Sequence, residues 1–257
     1  MTATARPQQR PTGSVMAAAK LAFATVATRG RLITSVGGVL FFVVLALVLQ
    51  TSADLTQDEG REVAVGAYFL LLLPLMCVSN ASLAFGNAVQ DGTLVYIWLR
   101  PIARWKLALA HVAGTVASLL PMIVALSLAT FAFGSSPRFV GSVALASLLT
   151  ALGYSGPTVA LGARFKRAPM MALTYVILIE TILVGLLGRI SIRNYGIAFF
   201  THLIGDDAAF FTNLVFPGED IDPSLRPSML TAVLVLTLVS AAGVGLTTLF
   251  LKRADVA

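Results

Sequence analysis

Long apolar segments alternate with short polar stretches along most of this chain, and the polar stretches contain most of its charged residues. Each apolar segment is about twenty residues or longer, the length that an α-helix needs to cross ~30 Å of bilayer hydrocarbon. The six segments are residues 32–50, 63–84, 107–133, 140–161, 169–188 and 229–251. They are continuous rather than alternating, so they predict six transmembrane helices and not the strands of a membrane barrel.

The amino-acid composition also indicates a membrane protein. Hydrophobic residues make up 57% of the chain and charged residues only 12%, and the mean hydropathy is +0.88. Soluble globular domains do not have this composition. We therefore predict an all-α integral membrane protein, with a disordered cytoplasmic tail at residues 1–13 and a single six-span domain at residues 14–257.

Lysine and arginine residues are unequally distributed between the two sides of the predicted helices. Thirteen of the eighteen lie on the side of the chain termini, and cytoplasmic loops are the ones that carry such an excess. Both termini are therefore predicted to be cytoplasmic, in a multi-pass protein of the plasma membrane. The formal net charge of +6 fits a face against anionic lipid headgroups, so we expect membrane lipids as partners and no nucleic acid.

Two segments outside the six spans also contain apolar positions. Residues 14–31 have a helical spacing of apolar positions and predict an interfacial helix on the inner leaflet, or else a polar extension of the first span. The outer loop 189–228 contains the apolar runs 197–200 and 208–211, which are too short to cross and are expected to form short helices in the outer leaflet.

Two polar residues within the spans are candidates for a translocation path. Asn80 lies in the second span, where it either lines such a path or joins helices by hydrogen bonding. Glu180 lies in the fifth span, where a carboxylate costs at least ~2.5 kcal/mol and must be protonated, paired or facing a cavity. The alternative for Glu180 is a structural hydrogen bond, for example to Asn80 or to a threonine.

The outer loop contains three residues of types that can bind metal ions. His202 and Asp206 have i, i+4 spacing and Asp207 follows directly. A further ligand type is missing, which favours a solvated polar edge over a metal site. We expect no metal ligands on this chain.

The stretch 87–106 interrupts the apolar pattern between the second and third spans. Asp91-Gly92 is a turn sequence, residues 93–99 are compatible with a short helix, and Pro101 disfavours helical geometry at Arg100. Tyr96 and Trp98 in this short helix are either docking anchors for a partner or members of a membrane-interface belt.

Gly92-Thr93-Leu94, followed by Arg100-Pro101-Ile102-Ala103-Arg104, resembles the signature of permease subunits of type-2 ATP-binding-cassette (ABC) exporters. The resemblance implies a cytoplasmic coupling helix that docks into a groove on a separate ATPase subunit. The residues implied in coupling are Asp91, Gly92, Thr93, Leu94, Tyr96, Trp98, Arg100, Pro101 and Arg104. The family usually has a Glu shortly before the Gly-Thr pair, where this chain has Asn87, Ala88 and Val89, and often a Lys near the position of His111.

The same resemblance implies an assembly. Two permeases, identical copies or paralogues, would form the translocation path between them and bind two ATPase subunits, and such permeases carry partly embedded outer helices before the last span. The sequence contains no Gly-x-x-x-x-Gly-Lys-Ser/Thr phosphate loop, so ATP and Mg²⁺ are expected on the partner ATPase. This chain is then not an enzyme by itself and has no catalytic or cofactor-binding residues. The alternative is an ATP-independent secondary transporter or a membrane scaffold protein.

Overall fold

The computed structural model describes residues 23–24, 27–52, 56–90, 103–165, 167–183, 191–205 and 227–254. Within these ranges all regular secondary structure is helical. Eight α-helices and two π-helices follow in this order: α1 (Arg29–Ser52), α2 (Gln57–Ala67), π1 (Tyr68–Leu72), α3 (Leu73–Gln90), α4 (Arg104–Ala132), α5 (Pro137–Arg164), α6 (Ala168–Thr174), π2 (Tyr175–Leu183), α7 (Ile192–Ile204) and α8 (Met229–Ala254).

Five helical stretches in the described residues are long and apolar enough to cross a membrane. They are Arg29–Val48, Asp58–Leu83, Arg104–Ala132, Pro137–Arg164 and Met229–Arg253. The predicted all-α class is confirmed, and the five stretches indicate a membrane-embedded protein. The predicted fifth span at 169–188 is helical through α6 and π2 as far as Leu183. Its last residues lie outside the described part of the chain, so this span stays a prediction.

The second long helix begins earlier than the hydropathy pattern predicts. Asp58 and Glu59 fall between the apolar segments 32–50 and 63–84, yet both lie in the first turn of α2. The cause is a capping box, in which the Thr56 hydroxyl accepts a hydrogen bond from the Glu59 backbone N–H and the Glu59 carboxylate accepts one from the Thr56 backbone N–H. These paired bonds satisfy N–H groups that a helix start otherwise leaves without partners.

The helix ends that carry basic residues lie together at one end of the molecule. A buried cluster there joins Phe85 of α3, Leu107 of α4, Val159 of α5 and Leu251 of α8. The start of α4 therefore lies beside the final turns of α3, α5 and α8, as it must if neighbouring helices alternate in direction. The basic residues at this end, which we call the basic end, are Arg104, Lys106, Arg164, Lys252 and Arg253.

Helix α5 is the centre of the bundle. It packs against α3, α4, α7 and α8 and is the most buried of the long helices, whereas α1 and α8 are the least buried. Small residues permit this packing, because a Cβ on Gly162 would lie 2.6 Å from the backbone oxygen of Ser82 on α3. Helix α5 is continuous through Pro157, and Gly156 beside it packs closely against Ser240 of α8.

The short helix α7 lies along the half of α5 that is remote from the basic end. Its thirteen residues span ~20 Å, too short for a bilayer crossing. Ile192 at its start lies beside Gly153, and near its end the Leu203 carbonyl accepts a hydrogen bond from Arg138 Nε at 3.0 Å. The expected short helix around 197–200 is therefore present, while residues 208–211 lie outside the described part of the chain.

An aromatic cluster fixes α7 in this position. The Phe200 ring of α7 lies 5.3 Å from the Phe69 ring of π1 and 5.6 Å from the Phe139 ring of α5, between ring centroids. The Arg61 guanidinium lies over the Phe139 ring, 4.5 Å from its centroid. Such ring contacts contribute beyond the apolar area that they bury, so α7 is an integral part of the packed core.

Candidate functional site

The predicted coupling residues are only partly described. Arg104 is the first residue of α4, at the basic end. The remaining coupling residues lie outside the described part of the chain: Asp91, Gly92, Thr93, Leu94, Tyr96, Trp98, Arg100 and Pro101. Most of the predicted interfacial helix at 14–31 lies outside it as well, with α1 beginning at Arg29.

Glu180 is the centre of a buried polar network. Its side chain is only 1% exposed. The Tyr154 hydroxyl of α5 donates a hydrogen bond to Glu180 Oε2, and the Tyr175 hydroxyl donates one to Oε1 at 3.2 Å. Both carboxylate oxygens therefore have a donor, which is how a protein reduces the cost of burying an acidic group.

The π-helical geometry of π2 brings Tyr175 and Glu180 together. The two residues are five positions apart in one nine-residue π-helix. A π-helix closes its backbone hydrogen bonds between residues i and i+5, so residues at this spacing lie about one turn apart on the same side. Short π segments are frequent at functional sites in proteins, and this one places a phenol over the carboxylate.

The start of α7 completes the network from the other side. Ser191 caps the helix by accepting a hydrogen bond from the Asn194 backbone N–H at 3.0 Å. The guanidinium of Arg193 donates to the backbone carbonyl of Glu180 at 2.9 Å. Arg193 and the first turn of α7 therefore adjoin Glu180 from this side.

A cavity of about 290 Å³ adjoins this network. Its walls come from α5, π2, the start of α7 and α8, and they are mainly apolar. Its polar groups include the side chains of Tyr154 and Tyr175, the two tyrosines that bind Glu180, together with Tyr195 and Ser191 of the α7 region. An apolar cavity with a few convergent polar groups is the usual form of a small-molecule site.

Asn80 lies elsewhere in the bundle. It is buried on α3 and is not among the residues that line the cavity. Within the described residues the hydrogen bonds of the Glu180 carboxylate come from tyrosines, so the suggestion of Asn80 or a threonine as its partner is wrong. The sequence signal that could have identified Tyr154 and Tyr175 is their position within apolar segments, because membrane tyrosines concentrate at the interfaces.

The two histidines of the chain have structural partners. The His111 ring is buried, stacks on Phe85 with 3.9 Å between centroids, and bonds through Nδ1 to the Leu107 carbonyl at 2.9 Å. His202 Nε2 is bonded to the Pro227 carbonyl at 2.9 Å. Among the described residues no group of three or more His, Cys, Asp or Glu side chains could hold a metal ion, while Asp206 and Asp207 lie outside them.

Comparison of the chain with known protein families and with curated proteins finds no match. Its function is therefore inferred from its own residues and their geometry.

Proposed function

We propose that this chain is the transmembrane permease subunit of an ATP-driven ABC exporter of the plasma membrane. It works as a dimer with a second permease, forms the translocation path, and couples to two separate ATPase subunits that bind ATP and Mg²⁺. The observation that carries the proposal is α7, a half-length buried helix placed just before the last long helix. Type-2 exporter permeases, which the sequence around Gly92 and Arg104 resembles, have partly embedded helices at this position.

The basic end supports the same proposal. Helices α3 and α4 lie together at this end, through Phe85 and His111, and residues 91–103 connect them. The coupling segment therefore follows α3 and precedes α4 at the end of the molecule where the basic helix ends lie. We assign this end to the cytoplasm, because lysine and arginine are enriched on that side of membrane proteins. Both termini are then cytoplasmic.

The proposal is tested by co-expressing the chain with the ATPase encoded nearest to it and purifying the permease. We expect the ATPase to co-purify and its turnover to be stimulated. The double variant Thr93→Ala, Tyr96→Ala should insert normally but lose retention or stimulation, because truncating an aromatic anchor costs an interface ~2 kcal/mol or more.

The matched control is Phe165→Ala. It removes an exposed aromatic ring from the same end of the molecule but outside the coupling segment, and it should keep wild-type ATPase association. Wild-type association and turnover in the double variant would assign the segment to membrane anchoring alone.

The second candidate is an ATP-independent transporter in which Glu180 relays protons, or a scaffold. The buried carboxylate with its two tyrosine donors favours the proton-linked form. Purification of a well-folded permease that no co-expressed ATPase binds would support this alternative.

A further inference from the structure

The cavity beside Glu180 has a polar rim and an apolar body. Val235 and Val239 of α8 and Pro157 and Leu161 of α5 supply apolar walls. At the ~30 Å³ that one water molecule occupies in the liquid, 290 Å³ takes about ten non-hydrogen atoms. This is the lower end of the size range of small-molecule sites, ~300–1,000 Å³.

The hydrogen bonding of the tyrosines determines what the rim offers to an occupant. Each phenol has one proton, and Tyr154 and Tyr175 both donate theirs to Glu180. Tyr154 is fully buried, whereas Tyr175 is partly exposed and its oxygen retains a lone pair, so Tyr175 can only accept from a molecule in the cavity. An occupant that donates a hydrogen bond is therefore matched to Tyr175.

The surrounding charges favour a neutral donor. The Arg193 guanidinium is bonded to the Glu180 backbone carbonyl, so a positive charge already lies at this end of the cavity. An occupant with a positive charge would be repelled by Arg193 and would lose its hydration in an apolar cavity. A hydroxyl group supplies the donor without either cost.

We propose that this cavity binds a neutral amphiphile with a hydroxyl head, whose apolar body lies against α5 and α8 and whose hydroxyl donates to Tyr175. All the residues that line this cavity come from a single copy of the chain. The site is therefore independent of the proposed ATPase coupling, and binding is measured on the purified permease without any partner.

The test uses photolabelling of the purified full-length permease in lipid nanodiscs. The probe is a ten-carbon alcohol with a diazirine at the far end of its chain, and the matched probe is the methyl ether of the same alcohol. We expect the alcohol to label peptides of α5 and α8 about threefold to tenfold more than the ether, the ratio expected for one hydrogen bond. Excess unlabelled decan-1-ol should suppress this labelling.

Two variants locate the site. Val239→Phe fills the cavity and should reduce alcohol labelling at least fivefold, whereas Leu238→Phe, at the neighbouring exposed position, should leave it unchanged. Tyr175→Phe keeps the ring but removes the acceptor, so it should bring the alcohol-to-ether ratio closer to one. If the Val239→Phe variant is not monodisperse after purification, Val235→Phe is the second variant that fills the cavity.

Equal labelling by alcohol and ether would overturn the proposal and identify a cavity that takes any lipid chain. Labelling that persists in both filled variants would also overturn it, because the probe would then bind elsewhere. A failure of ATPase association has no bearing on either result.

Discussion

Gly156 of α5 and Gly243 of α8 meet with no side chain between them. A Cβ on Gly243 would collide with the Gly156 backbone, and a Cβ on Gly156 would lie 2.5 Å from Ser240 Cα. The two helices therefore touch backbone to backbone, and this contact holds α8, with Val235 and Val239, against the rest of the cavity wall.

The first prediction concerns this contact. Gly156→Ala should destabilise the protein by ~1–3 kcal/mol or more, because backbone atoms cannot move aside as a side chain can. Gly141→Ala, on the same helix with no atom within 4 Å of the added Cβ, should be neutral or stabilising by up to ~1 kcal/mol. The measurement is unfolding of both purified variants in detergent, and equal stability of the two would contradict the contact.

The second prediction concerns Glu180. Glu180→Gln keeps an acceptor for one of the tyrosines and should preserve assembly with a small loss of stability. Glu180→Leu leaves both hydroxyls without their acceptor, which costs ~1–3 kcal/mol for a buried group. The larger share should come from Tyr154, which is fully buried, because Tyr175 is partly exposed. Thermal unfolding in detergent measures the difference, and equal tolerance of Gln and Leu would show that the network contributes nothing to the fold.

The third prediction concerns the start of α2. Thr56→Ala removes the side-chain half of the capping box and should cost ~0.5–2 kcal/mol, whereas Thr56→Ser keeps the hydroxyl and should be close to wild type. Hydrogen exchange at residues 57–60 provides the readout, with faster exchange expected in the alanine variant only. Identical exchange in the two variants would mean that the first turn of α2 does not depend on its cap.

The fourth prediction concerns orientation in the membrane. The native Cys77 is buried, so impermeant thiol reagents should not reach it and single cysteines can be added to the wild-type chain. Asp58→Cys and Glu219→Cys should react from outside, and Lys166→Cys only after lysis. Labelling of Lys166→Cys in intact cells would exclude cytoplasmic termini with six spans. Asp58 is described, whereas Glu219 and Lys166 lie outside the described residues.

The hydropathy pattern predicted six spans, and five of them correspond to long apolar helices in the described residues. These could be predicted because the hydrocarbon core requires a sufficient length of apolar residues from each helix separately. The pattern missed the first turn of α2 because the charged side chains of Asp58 and Glu59 lower the hydropathy there. Thr56 and Glu59 nevertheless form a capping box, which favours the start of a helix. A local capping motif was the better guide at this boundary.

The Glu180 network was only half predictable. A carboxylate inside a span must be satisfied, so its burial followed from the sequence. Its partners did not, because Tyr154 is brought to it by packing between helices and Tyr175 by a change from α to π geometry. A run of apolar residues such as 176–179 has no polar face that could reveal this change in helical period.

The π geometry of Tyr175–Leu183 has a rotational consequence. In an α-helix each residue turns the chain by ~100°, so five residues would place Glu180 about 140° around the axis from Tyr175. Conversion of π2 to α geometry would therefore separate the carboxylate from the Tyr175 phenol by twisting the helix, without any tilt of its neighbours. Within this segment, the choice between two helical windings determines whether Glu180 is held by one tyrosine or by two.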